Sequence, residues 1–249
     1  VKRLLTAAVV VLGLIGFSLI KVVQSQQGNS QESGPVVDYA AIDRDLENAH
    51  LRILRGGRYD RRGAKPIEEL PAGIEPLLEI DHSLSKLSAL PVEKSDAVLT
   101  GVVVSAKAYL SNNKTGIYSE FNISVESVFK DEGCLLGTSY SVVVDREGGT
   151  VRFPSGRLQR YGVLGQGTPM VGHRYALFLR RSEESQTFSI LTAYELRENH
   201  VFPLDATRLA GSKNTLAFSE YEGSAESVFL SALKEALAQA AKTPTQTRR

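Results

Sequence analysis

Tryptophan is absent from the chain, and cysteine and methionine occur once each. With Cys134 alone no internal disulfide can form, so an exported domain of this sequence must hold together through its core. Net charge is nearly absent too. Lys and Arg number 29 against 28 Asp and Glu, leaving a formal +1 and no global field to draw nucleic acid or an acidic substrate. The four histidines, His50, His82, His173 and His200, lie far apart and read as surface side chains, so no metal is expected. No Walker motif occurs, and no Gly-x-Gly-x-x-Gly follows a strand, so no cofactor is expected either. Gly162 to Pro169 (GVLGQGTP) is glycine-rich, but no helix follows to make an anion site, and it reads as a mobile loop which, with the basic RFPSGRLQR before it, is the foremost candidate ligand surface. Cys134 follows Asp131, Glu132 and Gly133, an acidic setting that suits a loop thiol better than a nucleophile.

What is present begins with an apolar N-terminus. After Lys2 and Arg3, Leu4 to Ile20 carries neither charge nor proline. About 17 residues give about 25 Å of helix, and snorkelling by Lys21 lets the span extend to residue 23. Residues 1–23 therefore predict a transmembrane anchor or a signal segment, with the basic flank kept in the cytoplasm and the rest carried outside. Retention as a single-pass anchor is the first expectation. Cleavage near Ser25, leaving a secreted or periplasmic protein, is the alternative. Ser25, Ser30 and Ser33 lack the Ser-Met-x-Pro-like setting of a type I signal peptidase.

Composition then divides the chain. Residues 24–37 read as a flexible tether. Residues 38–95 read as a helical and irregular linker region. It begins with a helix from Asp38 to Leu54, capped by Asp38, striped by Tyr39, Ile42, Leu46, Ala49 and Ile53, and ended by Gly56-Gly57. The basic run after it, RGGRYDRRGAKP, reads as a solvated loop, or as a contact with anionic lipid or a partner. A short helix is expected from Gly73 to Leu87.

From residue 96 to 205 the period is two. Strands are expected at Ala97 to Leu110, with Gly101 a bulge or bend, and at Ile117 to Lys130, the two joined by the hairpin loop Ser111 to Gly116. Further strands are expected at Thr138 to Asp145, Gly149 to Phe153, Arg174 to Arg180, Phe188 to Ala193 and around Val201 and Phe202, with Pro154 to Gly172 a long loop. In the second strand Ile117, Phe121, Ile123, Val125 and Phe129 face a core. Tyr118, Glu120, Asn122, Ser124, Glu126 and Lys130 face water. So long a strand curls, which predicts a small antiparallel β-barrel of the OB type. Residues 206–242 read as a connection and a C-terminal amphipathic helix capped by Ser224, with Val228, Phe229, Ala232, Leu233, Ala236, Leu237 and Ala240 on its apolar face. Residues 243–249 read as a disordered tail. The fold class is thus mainly β with flanking helices.

ALPVEKSDAVLTGVVVSA (Ala89 to Ala106), GIYSEFNISVESVFK (Gly116 to Lys130), the Gly148-Gly149 pair, PMVGHRYALFLR (Pro169 to Arg180) and SAESVFLSAL resemble a group of uncharacterised bacterial envelope proteins of acidobacterial type. The resemblance spans about residues 88 to 238, with His173 standing where the group carries an acidic residue. It implies an N-terminal hydrophobic segment and an OB-like domain, and no activity.

These readings converge on a non-enzymatic binding module outside the cytoplasm. It is held to the membrane through residues 1–23 and partnered by an envelope protein or another envelope component, not by nucleic acid. Candidate contacts are Tyr118, Glu120 and Glu126 on the wet strand face, and Arg152, Arg157, Arg160 and Tyr161 in the basic loop. The rival reading is an envelope hydrolase or protease whose site assembles at the barrel rim from scattered residues such as Glu120, Arg160 and His173.

Overall fold

The computed structural model describes residues 34–40, 49–76, 83–132, 140–183, 187–207 and 215–242. The apolar N-terminal segment, the tether up to Ser33, His82, Cys134 and the tail 243–249 lie outside these residues. No helix among the described residues is long and apolar enough to cross a membrane.

The described chain is mainly β, with two sheets and two α-helices. In chain order the elements are β1 (Val36–Asp38), α1 (Ala49–Arg58), β2 (Ala97–Leu110), β3 (Ile117–Asp131), β4 (Ser141–Glu147), β5 (Gly149–Arg152), β6 (Leu158–Tyr161), β7 (Arg174–Arg181), β8 (Phe188–Arg197), β9 (His200–Pro203) and α2 (Glu226–Ala240).

The larger sheet runs β4-β3-β2-β7-β8-β9, and β4 also pairs with β8. Five strands thus form a ring of pairings whose last join is short. It is parallel and consists of Val144 opposite Phe188 and Asp145 opposite Ser189. The other joins in the ring are antiparallel. All five strands send side chains to one core, among them Leu99, Phe121, Val144, Leu177 and Ile190.

Bulges let the long strands bend around that core. The β2–β3 register shifts at Val98/Leu99, Thr100/Gly101 and Val103/Ser105. Gly101 sits at one of these steps, as its sequence position predicts. The shifts also break the strict alternation of β3, so Phe129 joins the packing on the opposite face instead of sharing a core with Phe121 and Ile123.

That outer face of β2, β7, β8 and β9 is covered by α2. Phe229 and Leu233 are fully buried there beside Phe178, Tyr194 and Phe218. Tyr194 is the hub: its ring lies 4.9 Å from that of Phe229, and its hydroxyl donates to Ala89 O at 2.7 Å. Two expectations for α2 need correction. Val228 is 60% exposed, because the buried stripe runs through 229, 233 and 236. The N-cap is Ala225, whereas the Ser224 hydroxyl donates to Tyr221 O.

A second, three-stranded sheet has the order β1-β5-β6. Its β1 lies where the end of the tether was expected. Val36–Asp38 pairs in parallel with β5, so Asp38, expected as a helix cap, closes a strand. Its β6 lies within the expected loop Pro154 to Gly172. Phe153-Pro154-Ser155-Gly156-Arg157 makes the turn, with Phe153 N–H donating to Arg157 O and Gly156 N–H to Phe153 O. Gly156 has φ +86, the left-handed position of a three-residue hairpin loop. The helix expected from Gly73 to Leu87 is absent from its described part. Pro71 to Ile74 turns, and only Leu84–Lys86 is helical, as one 3-10 turn.

Replacing Phe229 by Ala should cost about 3–5 kcal/mol of stability in urea unfolding. Val228→Ala, on the same helix, should change stability by less than about 0.5 kcal/mol.

Candidate functional site

Successive residues of β4 point to opposite faces, and two of them organise the rest. Asp145 points outward under α1. Arg146 points inward, towards one end of the five-strand ring.

The helix α1 presents arginines to the sheet. Arg52, Arg55 and Arg58 recur every three residues and so share one face. Arg55 Nη1 donates to Glu120 Oε1 at 2.7 Å, and its Nε lies 3.8 Å from Asp145 Oδ2. Arg58 reaches both Asp145 oxygens, at 3.3 and 3.2 Å, and donates to Thr187 Oγ1 at 2.5 Å. Arg58 therefore ties β4 to the residue preceding β8, across the short parallel join. Tyr59 OH donates to Asp145 Oδ1 at 2.5 Å, and Arg61 pairs with Glu147 at 2.8 Å. Above them Tyr59, Tyr118 and Tyr109 stack at 4.9 and 5.6 Å, and the Arg52 guanidinium lies 4.8 Å over the Tyr109 ring.

Burial raises the Asp145 pKa above the ordinary carboxylate value, with Arg58, the Tyr59 hydrogen bond and Arg55 opposing the shift. Burial, then the Asp145 charge, pushes the Tyr59 hydroxyl well up. Burial raises Tyr118 as well, helped by Glu120.

This arrangement corrects several expectations. Tyr118 is buried and Glu120 is nearly so, because α1 covers the strand face that alternation alone assigns to water. The helix does not end at Gly56-Gly57. Gly56 is inside it, and a Cβ there would strike the Asn112 side chain of the β2–β3 hairpin loop. Nor is its expected apolar stripe buried. Ile53 is 60% exposed and Tyr39 instead stacks on Phe153, while Ile42 and Leu46 lie outside the described residues. The basic run is not a solvated loop as a whole, since Arg55, Arg58 and Arg61 are all engaged.

On the inner side, Arg146 Nη2 donates to both Asp205 oxygens, at 2.7 and 2.8 Å, and both side chains are buried. Gly167 N–H donates to Asp205 Oδ1, Arg146 Nη1 to Gly167 O, Gln166 to Glu147 O and Ala206 N–H to Gly165 O. The glycine-rich stretch expected to be mobile is bonded at these three consecutive odd and even positions, 165 to 167, and forms a fixed wall.

Between that wall, the β4–β5 corner and the end of β6 lies a cleft of about 320 Å³, lined by Glu75, Glu147, Gly148, Arg160, Tyr161 and Gln166, among others. Two of the predicted contacts, Arg160 and Tyr161, meet here. Arg160 is exposed and makes no ion pair with a described residue. Tyr161 OH donates to Gln159 Oε1 at 3.2 Å. Arg152 lies further along the same sheet, 3.4 Å from Asp38. Arg157 is engaged with Leu70 O and with Glu69 at 3.5 Å, holding the segment before Pro71. Glu126 is elsewhere, bonded at 2.6 Å to Arg174, which also holds Glu226. Glu120, Arg160 and His173 do not assemble. Glu120 holds Arg55, and His173 Nδ1 lies 2.9 Å from Glu195. Among the described residues no group of three His, Cys, Asp or Glu is placed to hold a metal. Sequence reasoning missed Glu75 and Glu147 as cleft residues, while Gln166 lies in the glycine-rich loop it singled out. The hairpin signal Pro154-Ser155-Gly156 would have located β6 and hence the cleft's far wall.

Comparison with protein families, with curated proteins and with solved structures finds no match.

Two outcomes follow from the polar groups. Asp205→Ala leaves Arg146 buried without its carboxylate and should cost about 3–5 kcal/mol in chemical denaturation. For Asp145 the folded pKa exceeds the unfolded one, so its contribution favours folding below the ordinary carboxylate range and declines as pH rises through the raised value. Asp145→Asn stays neutral throughout. Its stability relative to the parent should therefore rise across that window and then level off, as read from urea midpoints at a series of pH values.

Proposed function

We propose that the protein is a membrane-anchored, extracytoplasmic binding module built on a small OB-like β-barrel, of the kind its sequence resembles among acidobacterial-type envelope proteins. The ring β4-β3-β2-β7-β8, joined to itself by β4 and β8 around one core, supports the barrel reading. The charge-free run Leu4 to Ile20 behind Lys2 and Arg3 supports the anchor.

The observation that carries the binding reading is the cleft beside β6. Its walls are fixed by the buried Arg146–Asp205 pair and by backbone bonds, while Arg160 at its edge stands exposed and without an ion pair among the described residues. A rigid concave surface with one uncommitted cation is suited to recognition. The carboxylates Glu120, Asp145, Asp205 and Glu195 are each held by an arginine or a histidine, which favours binding over acid–base work. The partner is an envelope protein or another envelope component.

In-cell cross-linking of the tagged protein in its native host, followed by mass spectrometry, should recover a specific partner that Arg160→Ala removes. Arg197→Lys, on β8 and outside the cleft lining, should retain it. Equal recovery with Arg160→Ala would reject this cleft as the binding surface.

A further inference from the structure

The strand β6 is the last in its sheet, and its outer edge is unpaired among the described residues. The Phe153–Arg157 hydrogen bond sets the ladder, so Val151–Gln159 and Gly149–Tyr161 are the hydrogen-bonded pairs and Arg152–Leu158 and Thr150–Arg160 are not. The main-chain N–H and C=O groups of Leu158 and Arg160 therefore point away from β5. No bond to them is made by a described residue outside the ladder. The segment around Leu70 does not cap this edge. It is bonded to the side chains of Arg157, Gln159 and Tyr161, on the other face of the sheet.

Exposed edges in stable proteins are usually blunted, and here the device is weak: one arginine beside a leucine that is 50% exposed. Leu158 and Arg160 share a face, two residues apart, with Arg152 directly opposite Leu158. An incoming strand would meet an apolar side chain at one position and an uncommitted cation at the next on that face.

We propose that β6 receives an extended peptide of an envelope partner as an added strand, with an acidic residue beside Arg160 and an apolar residue beside Leu158. This rests on the reading of the cleft side as the binding surface. Main-chain bonds to Leu158 and Arg160 supply the affinity, and the two side-chain contacts supply the choice of sequence. Running antiparallel, the peptide carries acidic-x-apolar. Running parallel, it carries apolar-x-acidic.

The probe is a random peptide library panned on the purified extracytoplasmic chain, with enriched peptides resynthesised and their binding read by fluorescence anisotropy. Enrichment of one of the two patterns is expected. N-methylation of the peptide backbone at the edge-facing positions should weaken binding about tenfold or more, as should Arg160→Glu, and exchanging the acidic residue for lysine should restore binding to that variant. Leu158→Pro should abolish binding, with circular dichroism reporting whether the sheet survives. The N-methylated peptides decide the matter if it does not. No enrichment, or binding indifferent to N-methylation and to Arg160→Glu, overturns the proposal. So does a concentration-dependent dimer dissolved by Leu158→Pro, which would give the edge to a second copy. An Arg160-dependent partner found by cross-linking, together with a failed library, would reject strand addition and leave the binding module standing. Failure of both would reject both.

Discussion

The join between β4 and β8 is the constraint on which the larger sheet depends. Two residue pairs complete the ring, far fewer than hold any of its other seams. So short a ladder is weak by itself, and the chain reinforces it from outside. Arg58 grips Asp145 on one strand and Thr187 just before the other. On the inner side the neighbouring Arg146 fixes the end of the ring through Asp205, the residue that also receives the Gly167 N–H. Buried ion pairs of this sort give little net stability, because desolvation offsets the attraction. A slipped register would leave these charges buried and unpaired, which is costly.

The two helices cover the ring by different physics. The α2 helix buries phenylalanine and leucine against an apolar face. The α1 helix turns its arginines inward and leaves Leu51 and Ile53 exposed, the reverse of an ordinary surface helix. The difference lies in the strands beneath. The outer faces of β7 and β8 offer Phe178 and Tyr194, whereas those of β3 and β4 offer Glu120 and Asp145, and an arginine face is the complement of the latter.

Local periodicity made much of the fold legible. The positions of β2 and β3, the hairpin between them, β7 and the apolar core of α2 follow from alternation, turn residues and helical spacing. What escaped was non-local. The burial of Glu120 and Tyr118 depends on arginines more than sixty positions earlier, and no pattern within β3 reports them. For α1 the pattern misled, since an apolar stripe is the usual buried face and here it is not. The join of β4 to β8 has no signature at all, being two parallel pairs between strands that read as ordinary antiparallel members. Of the candidate site, Arg160 and Tyr161 were readable as charge and ring in a basic stretch. The rest of their cleft's lining, apart from the loop that follows them, comes from two separate segments, 75–76 and 147–148, joined to it only by folding.

The arginine staple also has a temporal side. Arg58 precedes Asp145 by 87 positions and Thr187 by 129. A chain emerging from its N-terminus must carry its guanidinium groups through most of synthesis or export before either acceptor exists. The ring cannot be locked until β8 has appeared, so closure is a late, long-range event with a large loop-entropy cost. Until then β4 remains an unpaired edge, open to wrong strands. The nascent chain is therefore most exposed to mispairing in the interval between the appearance of β4 and that of β8.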